Sequence, residues 1–402
     1  MTLVDELAKR EVEPALPFEP GEYQRRLAAV RQSMAERGLD LLIVSKTPNI
    51  GYLTGYDTQM PLGYSVLLVG ATGEPTLHCS ELEAPCMLLN GNVRDIEVFD
   101  WHAAADTGTD LARIVQERGY GSATIGIEMG FAENFASGAL DAKSYVALTG
   151  LCPEATFVDT TTLILETRLI KSPAEIEYMR TAGSYTGIGL DAAMDAAGDG
   201  ATDNDVMAAV YGAMVAAGCE LMSTDPMVMA GERTGWMPHL AYRRVRMSQG
   251  DPVYVELTGT HFRYNAPGMR SASIGPPSAD VRRLADASLA TVDLLLGEIR
   301  PGRTGDDVAR AAKVGLASVP DAFFHGAFGY SIGMGFQPAW TECPFYLSEG
   351  NERELEPRMA FHLAICLWIA GERGIGFSES VVVTDDGCEL LTPGRGRELR
   401  IV

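Results

Sequence analysis

The chain has 402 residues, with 32 basic and 54 acidic side chains and a formal net charge of −22. A hydrophobic share of 46% and a charged share of 21% exclude global disorder, and the length allows two or three domains. So acidic a surface repels phosphate backbones, which speaks against general nucleic-acid binding.

The first residues, MTLVDELAKREVEP, mix both signs of charge and lack an apolar core, so no signal peptide is expected. Residues 21–37 carry Leu27, Val30 and Met34 at helical spacing. Leu41–Val44 is a short apolar run suited to a buried strand, followed by turn chemistry in Ser45-Lys-Thr-Pro-Asn49. Tyr64–Val69 and Ala123–Ile127 read as further strands, with helix-forming stretches around 109–118 and 134–147. Residues 1–165 are therefore expected to form an α/β domain. The seven cysteines are scattered and include no CxxC pair, which argues against a zinc knuckle and a disulfide framework. A reducing cytoplasm is the expected compartment. The longest apolar run, Met359–Ala370, is interrupted by His362 and is too short to cross a bilayer.

The second domain is expected over residues 166–402. Ser172 can cap a helix, Pro173 suits its first position and Glu175 completes a capping box, so a long helix is predicted to run to about Ala196. An echo follows. Gly200-Ala-Thr202-Asp-Asn-Asp205-Val206 and Gly302-Arg-Thr304-Gly-Asp-Asp307-Val308 both read GxTxxDV and both precede alanines at helical spacing. This predicts two similar α+β halves.

Several segments in order resemble the pita-bread family of creatinase, prolidase and methionine aminopeptidase. They are Asn49-Ile-Gly-Tyr52-Leu-Thr-Gly-Tyr56, Arg168-Leu-Ile-Lys171-Ser-Pro-Ala-Glu175-Ile176, Pro238-His239, the strand ending at Glu256, Gly329-Tyr330-Ser-Ile-Gly333, Leu355-Glu-Pro-Arg-Met359 and Val383-Thr-Asp-Asp-Gly387. The resemblance implies an α/β N-terminal domain and an α+β pita-bread C-terminal domain with an internal pseudo-twofold repeat. Family peptidases hold two metal ions with two Asp, one His and two Glu. Counted from the nearest motifs, those positions fall here near Glu256 and on Pro267, Tyr330, Ala364 and Ser378 or Glu379. At most two of the five ligands remain, so no metal and no cofactor is expected. Creatinase also works without metal, yet of its site only the general-base histidine has a counterpart, His239. Its catalytic glutamates correspond to Met269 and Ala364, and its second histidine to Gln337.

Bacterial ectoine hydrolases resemble the chain more fully. Their site pattern is similar to Glu256-Leu-Thr-Gly259, Arg263-Tyr264-Asn-Ala-Pro267-Gly-Met-Arg270, Gly329-Tyr330-Ser-Ile-Gly333, Gln337-Pro-Ala-Trp340-Thr-Glu342, Met359-Ala-Phe-His362 and Ser378-Glu379. The chain departs from them after Asp57, where Thr58-Gln-Met-Pro-Leu-Gly-Tyr64 replaces an aromatic stretch. In creatinase this loop contacts substrate in a neighbouring subunit, which makes Tyr64 a candidate substrate contact.

The resemblance gives His239 proton transfer, for which an imidazole titrating near neutrality is suited. Glu256 ends an apolar strand, where a carboxylate is costly unless paired or used. It is a candidate nucleophile, base or anchor for a cationic nitrogen, the alternative being a surface hairpin charge. Tyr264 and Arg270 are six apart on one strand and share a face. They either line the site or serve the core, with Arg270 paired to Glu256 or Glu379. Tyr330 offers a phenolic hydrogen bond to a developing negative charge, or is simply packed. His362 lies between small residues, as a ligand contact or a core histidine. Glu379 alternates out of phase with Ser378 and Ser380, and Glu379 is favoured to face the cleft. Trp340 and Glu342 offer an aromatic wall and a carboxylate to a cationic ligand, or belong to an interface.

Together these readings point to a metal-independent hydrolase of a C–N bond in a small cyclic amidine, amide or guanidino compound. The expected partners are a small-molecule substrate and a second copy of the chain in a homodimer, with no nucleic acid and no membrane. Three alternatives stand beside it: a lyase or cyclase using the same site, a non-catalytic peptide-binding protein, and an Xaa-Pro peptidase-like metalloenzyme.

Overall fold

A computed structural model describes residues 3–10, 13–102, 106–130, 139–392 and 397–402. The chain divides into two compact units, Met1–Arg168 and Leu169–Val402. The first holds six strands: Leu41–Val44 (β1), Ser65–Gly70 (β2), Thr76–Ser80 (β3), Asp95–Phe99 (β4), Thr124–Ile127 (β5) and Thr156–Asp159 (β6). They lie in the order β4-β3-β2-β1-β5-β6. The helix Pro20–Glu36 buries Val30 and Met34 as its spacing predicts, but Arg26 is buried with them. Its guanidinium lies over the rings of Phe18 and Tyr52 and donates to the Tyr52 carbonyl at 2.8 Å.

Residues expected to turn after β1 instead form the helix Thr47–Thr54, which Gly55 ends at φ 79°, a left-handed position that favours glycine. The helix expected at 134–147 is Ala142–Leu151, capped by Asp141, and residues 131–138 lie outside the described ones. Strands β3, β4 and β6 were not foreseen. The last two sit at the sheet's edges, and none of their residues is fully buried, so they lack the apolar signature of a core strand.

The second unit opens with the helix Pro173–Ala196, and the Ser172–Glu175 capping box is present. The echo is structural. Thr202 and Asp205 cap the helix Asp203–Ala216 reciprocally, and Thr304 and Asp307 do the same for Gly305–Lys313. Each follows a long helix, Pro173–Ala196 in the first half and Ala279–Glu298 in the second. The main strands are Met227–Ala230 (β7), Pro252–His261 (β8), Tyr264–Ser273 (β9), Ala327–Ile332 (β10), Thr341–Ser348 (β11), Ala360–Ile369 (β12) and Arg373–Val383 (β13), ordered β11-β10-β12-β13-β9-β8-β7.

The four helices share one face of this sheet. Val253, Val255 and Leu257 pack beneath Leu190, Val206 and Val210. Phe361, Leu363, Ile365 and Leu367 pack beneath Val281, Leu284 and Val308. At roughly 1.5–3 kcal/mol for each fully buried side chain, these two seams set the strand register. Gly259 lets the first helix approach, since a Cβ there would stand 2.1 Å from the Ala182 carbonyl oxygen. Strand alternation then turns Tyr254, Glu256, Met269, Ser378, His362 and Cys366 to the opposite face. Among the described residues no helix is long and apolar enough to cross a membrane.

Candidate functional site

Glu256 lies on that opposite face of β8, directly across from Met269 on β9, which in turn pairs with Ser378 on β13. The residue is buried at 5% exposure, and no hydrogen bond reaches its carboxylate among the described residues. Burial pushes its carboxyl up to about 8 from an ordinary 4.5. Three strand-to-strand steps separate β8 from β12, about 14 Å across a flat sheet. Even so, Glu256 Oε1 stands 4.0 Å from His362 Nδ1. The sheet is therefore concave here, and both side chains lean into the hollow.

His362 belongs to a chain of hydrogen bonds. The Trp340 indole N–H donates to the Tyr330 hydroxyl at 2.9 Å. The Tyr330 hydroxyl lies 2.7 Å from His362 Nδ1, and His362 Nε2 lies 2.7 Å from Ser378 Oγ. Tyr330 and His362 are cross-strand partners on β10 and β12, so register alone brings them together. Complete burial depresses the imidazole to about 3, so the ring is neutral. Two proton arrangements satisfy the chain. In one, Tyr330 donates to Nδ1 and Nε2–H donates to Ser378. In the other, Ser378 donates to Nε2 and Nδ1–H donates to Tyr330.

Tyr264 and Arg270 do share a face, but it is the helix side: the Tyr264 hydroxyl donates to Glu175 at 2.9 Å, and Arg270 donates to Glu379 at 2.7 Å. The preference for Glu379 over Ser378 is reversed. Glu379 is opposite Leu363 on the helix side and also accepts from Thr392, whereas Ser378 faces Glu256's side. The register of Met269 against Ser378 decides this, and alternation within β13 alone does not reveal it. Glu342 is likewise engaged. Its Oε2 accepts from Lys171 Nζ at 2.6 Å with both side chains buried, and its Oε1 accepts from the Met334 N–H at 3.2 Å. Trp340 joins the hydrogen-bond chain as its outer member. His239 is exposed on the loop after the 3-10 turn Gly231–Gly235. Tyr64 lies in the first unit, where its hydroxyl meets His78 Nδ1 at 3.1 Å and its ring packs edge-on against Phe99. Ser378 is the polar group that sequence reasoning ranked too low.

The hollow of the second unit's sheet thus holds a buried carboxyl, which no hydrogen bond reaches among the described residues, beside a neutral histidine. The chain belongs to metallopeptidase family M24: residues 177–385 match that family, and residues 26–170 match the creatinase/prolidase N-terminal domain. It is 30% identical to the ectoine hydrolase of Halomonas elongata over 94% of this chain and 97% of that protein. It is 27% identical to the probable dipeptidase PepE of Mycobacterium tuberculosis over 92% of this chain and 94% of that protein. Its fold matches the prolidase of Pyrococcus horikoshii with a TM-score of 0.78 at 20% identity, covering 92% of this chain and 99% of that one. These three relatives carry hydrolase names, and hydrolysis is the class of chemistry they support.

The family name implies a metal centre, and the donors on this face do not fit one. Glu256 is flanked by Met269 across the strand pair, and the neighbouring positions are Pro267, Ala364 and Ser378. Both nitrogens of His362 are already in hydrogen bonds. Among the described residues, the group of His, Cys, Asp or Glu with ligand atoms within 4.8 Å of one another is Glu81, Asp100 and His102, on the surface of the first unit.

Proposed function

We propose that this protein is a metal-independent hydrolase that opens a C–N bond in a small polar cyclic amidine, amide or guanidino compound, with ectoine the first to try. The observation that carries the reading is the uncompensated Glu256 carboxyl, held 4.0 Å from a neutral histidine in the hollow. An isolated buried carboxylate is costly, so the free protein favours its neutral form. An amidinium supplies the missing positive charge, lowers the carboxyl's pKa and is thereby selected. Ionised Glu256 then attacks the amidine carbon or directs water to it. Tyr330, hydrogen-bonded to His362 and Trp340, holds the imidazole in place beside the carboxyl. The His362–Ser378 pair fixes that arrangement, and His239 carries the proton to the leaving nitrogen.

The test is to strip the purified protein of metal with a chelator and incubate it with ectoine and related cyclic amidines. A product heavier by the mass of one water, lost in Glu256→Gln, is the expected result. A product of unchanged mass assigns the site to a cyclase instead. Cleavage of Xaa-Pro dipeptides that appears only with added manganese or zinc overturns the proposal.

A further inference from the structure

Beside Glu256 the same face carries a cluster that the proposed chemistry does not use. Met229, Tyr254, Met269, Cys366 and Trp368 pack together with almost no exposure. Three of the five are sulfur-bearing, and Cys366 Sγ lies 3.2 Å from Met269 Sδ. Into these apolar surroundings project two polar atoms, the Tyr254 hydroxyl and the Trp368 indole N–H. Among the described residues neither has a hydrogen-bond partner. The indole N–H lies near enough to the phenol to favour its ionised form, yet the pair does not reach hydrogen-bond geometry. Each orphaned group destabilises the fold, and a pair of them side by side calls for a reason.

We infer that Tyr254 and Trp368 form a subsite for the carboxylate of a compact zwitterionic substrate whose cationic end sits at Glu256. An indole N–H only donates and a phenol has its own proton to give, so the two unpartnered groups together present two donors to an acceptor. Both donors are neutral. They offer a carboxylate hydrogen bonds without a second countercharge in the pocket. Tyr254 and Glu256 are two residues apart on one face of β8, a span of roughly 6.6 Å. That span fits a small ring bearing an amidinium and a carboxylate, and is too short for a dipeptide's two ends. The walls that close over the donors are largely methionine, whose unbranched thioethers yield to an incoming group at little cost.

This inference rests on the reading of Glu256 given above, and binding is measured separately from turnover. Ectoine, and the same methyl-substituted cyclic amidine lacking its carboxylate, are titrated by calorimetry into the wild type, Tyr254→Phe and Trp368→Phe. The wild type is expected to bind the carboxylate form more tightly. Each substitution should weaken that form roughly three- to tenfold, the worth of one net hydrogen bond, and leave the carboxylate-free compound unaffected. Tyr254→Phe should also raise the melting temperature, because it removes an unsatisfied hydroxyl without opening a void. Equal binding of the two compounds, equal weakening of both in the variants, or no binding of either overturns the subsite. Discrimination between the compounds without any added water in the products keeps the subsite and rejects the hydrolase.

Discussion

Replacing Glu256 with glutamine should stabilise the protein and abolish its activity, and the gain should depend on pH in a defined direction. Burial holds this carboxyl at about 8 instead of 4.5. Between those values the folded protein keeps a proton that the unfolded chain has released, so stability falls as pH rises. Each unit of pH is worth about 1.4 kcal/mol, which amounts to about 3 kcal/mol lost by pH 7 relative to acid conditions. His362 works in the other sense: held at about 3 instead of 6.5, it removes stability as pH falls below 6.5. It is present in both proteins, so it cancels in their difference. Denaturant melts followed by tryptophan fluorescence suit the measurement, since Trp236, Trp340 and Trp368 all lie in the second unit. The variant's advantage should be small at pH 5 and should widen by about 3 kcal/mol by pH 8. Parallel curves across that range would mean that Glu256 ionises normally. The argument that the hollow waits for a cation would then be refuted.

Other substitutions separate the site from its scaffold. Glu379→Ala leaves Arg270 as a buried charge without its carboxylate and should cost about 3–5 kcal/mol, whereas Ser378→Ala should cost about 1 kcal/mol and act mainly on kcat. Thermal melts and turnover on the same samples decide between them, and equal stability losses would contradict the assigned faces. Lys171→Met should destabilise by about 3–5 kcal/mol through the stranded Glu342, and adding Glu342→Gln should recover most of that loss. A double variant no more stable than the single one would deny the pairing. His239→Asn should leave the melting temperature unchanged, because the residue is exposed, while lowering kcat by about a hundredfold or more. An unaltered kcat would transfer the proton step to His362.

The helices of the second unit were legible because their signals are local. A capping residue, a proline at the first position and an acidic residue three places on are read from a handful of neighbours, and all three capping boxes are present. Family position marked the strand residues Glu256, Tyr330 and His362, and the structure brings these three side chains together. What alternation could not decide was which face looks into the hollow. Ser378 and Glu379 have equal claims until β13 is placed against β9, and that pairing joins residues more than a hundred positions apart. Glu342 misled for a related reason, while Arg270 stayed open between the site and a pairing with Glu256 or Glu379. A charged residue in an apolar stretch signals a need for compensation, and only the fold shows that Lys171 and Glu379 already meet it.

The duplicated helix caps show two halves that kept a common frame, yet the chemistry is divided unequally between them. Glu256 comes from the first half, while Tyr330, Trp340, His362 and Ser378 all come from the second. Neither half can therefore rebuild the site by pairing with a copy of itself: one would offer two carboxylates and no relay, the other two relays and no carboxylate. The carboxyl and the imidazole meet only after the central strand pair β9–β13 has closed. Loop closure over such separations is slow. A ligand bound there bridges the seam between the halves.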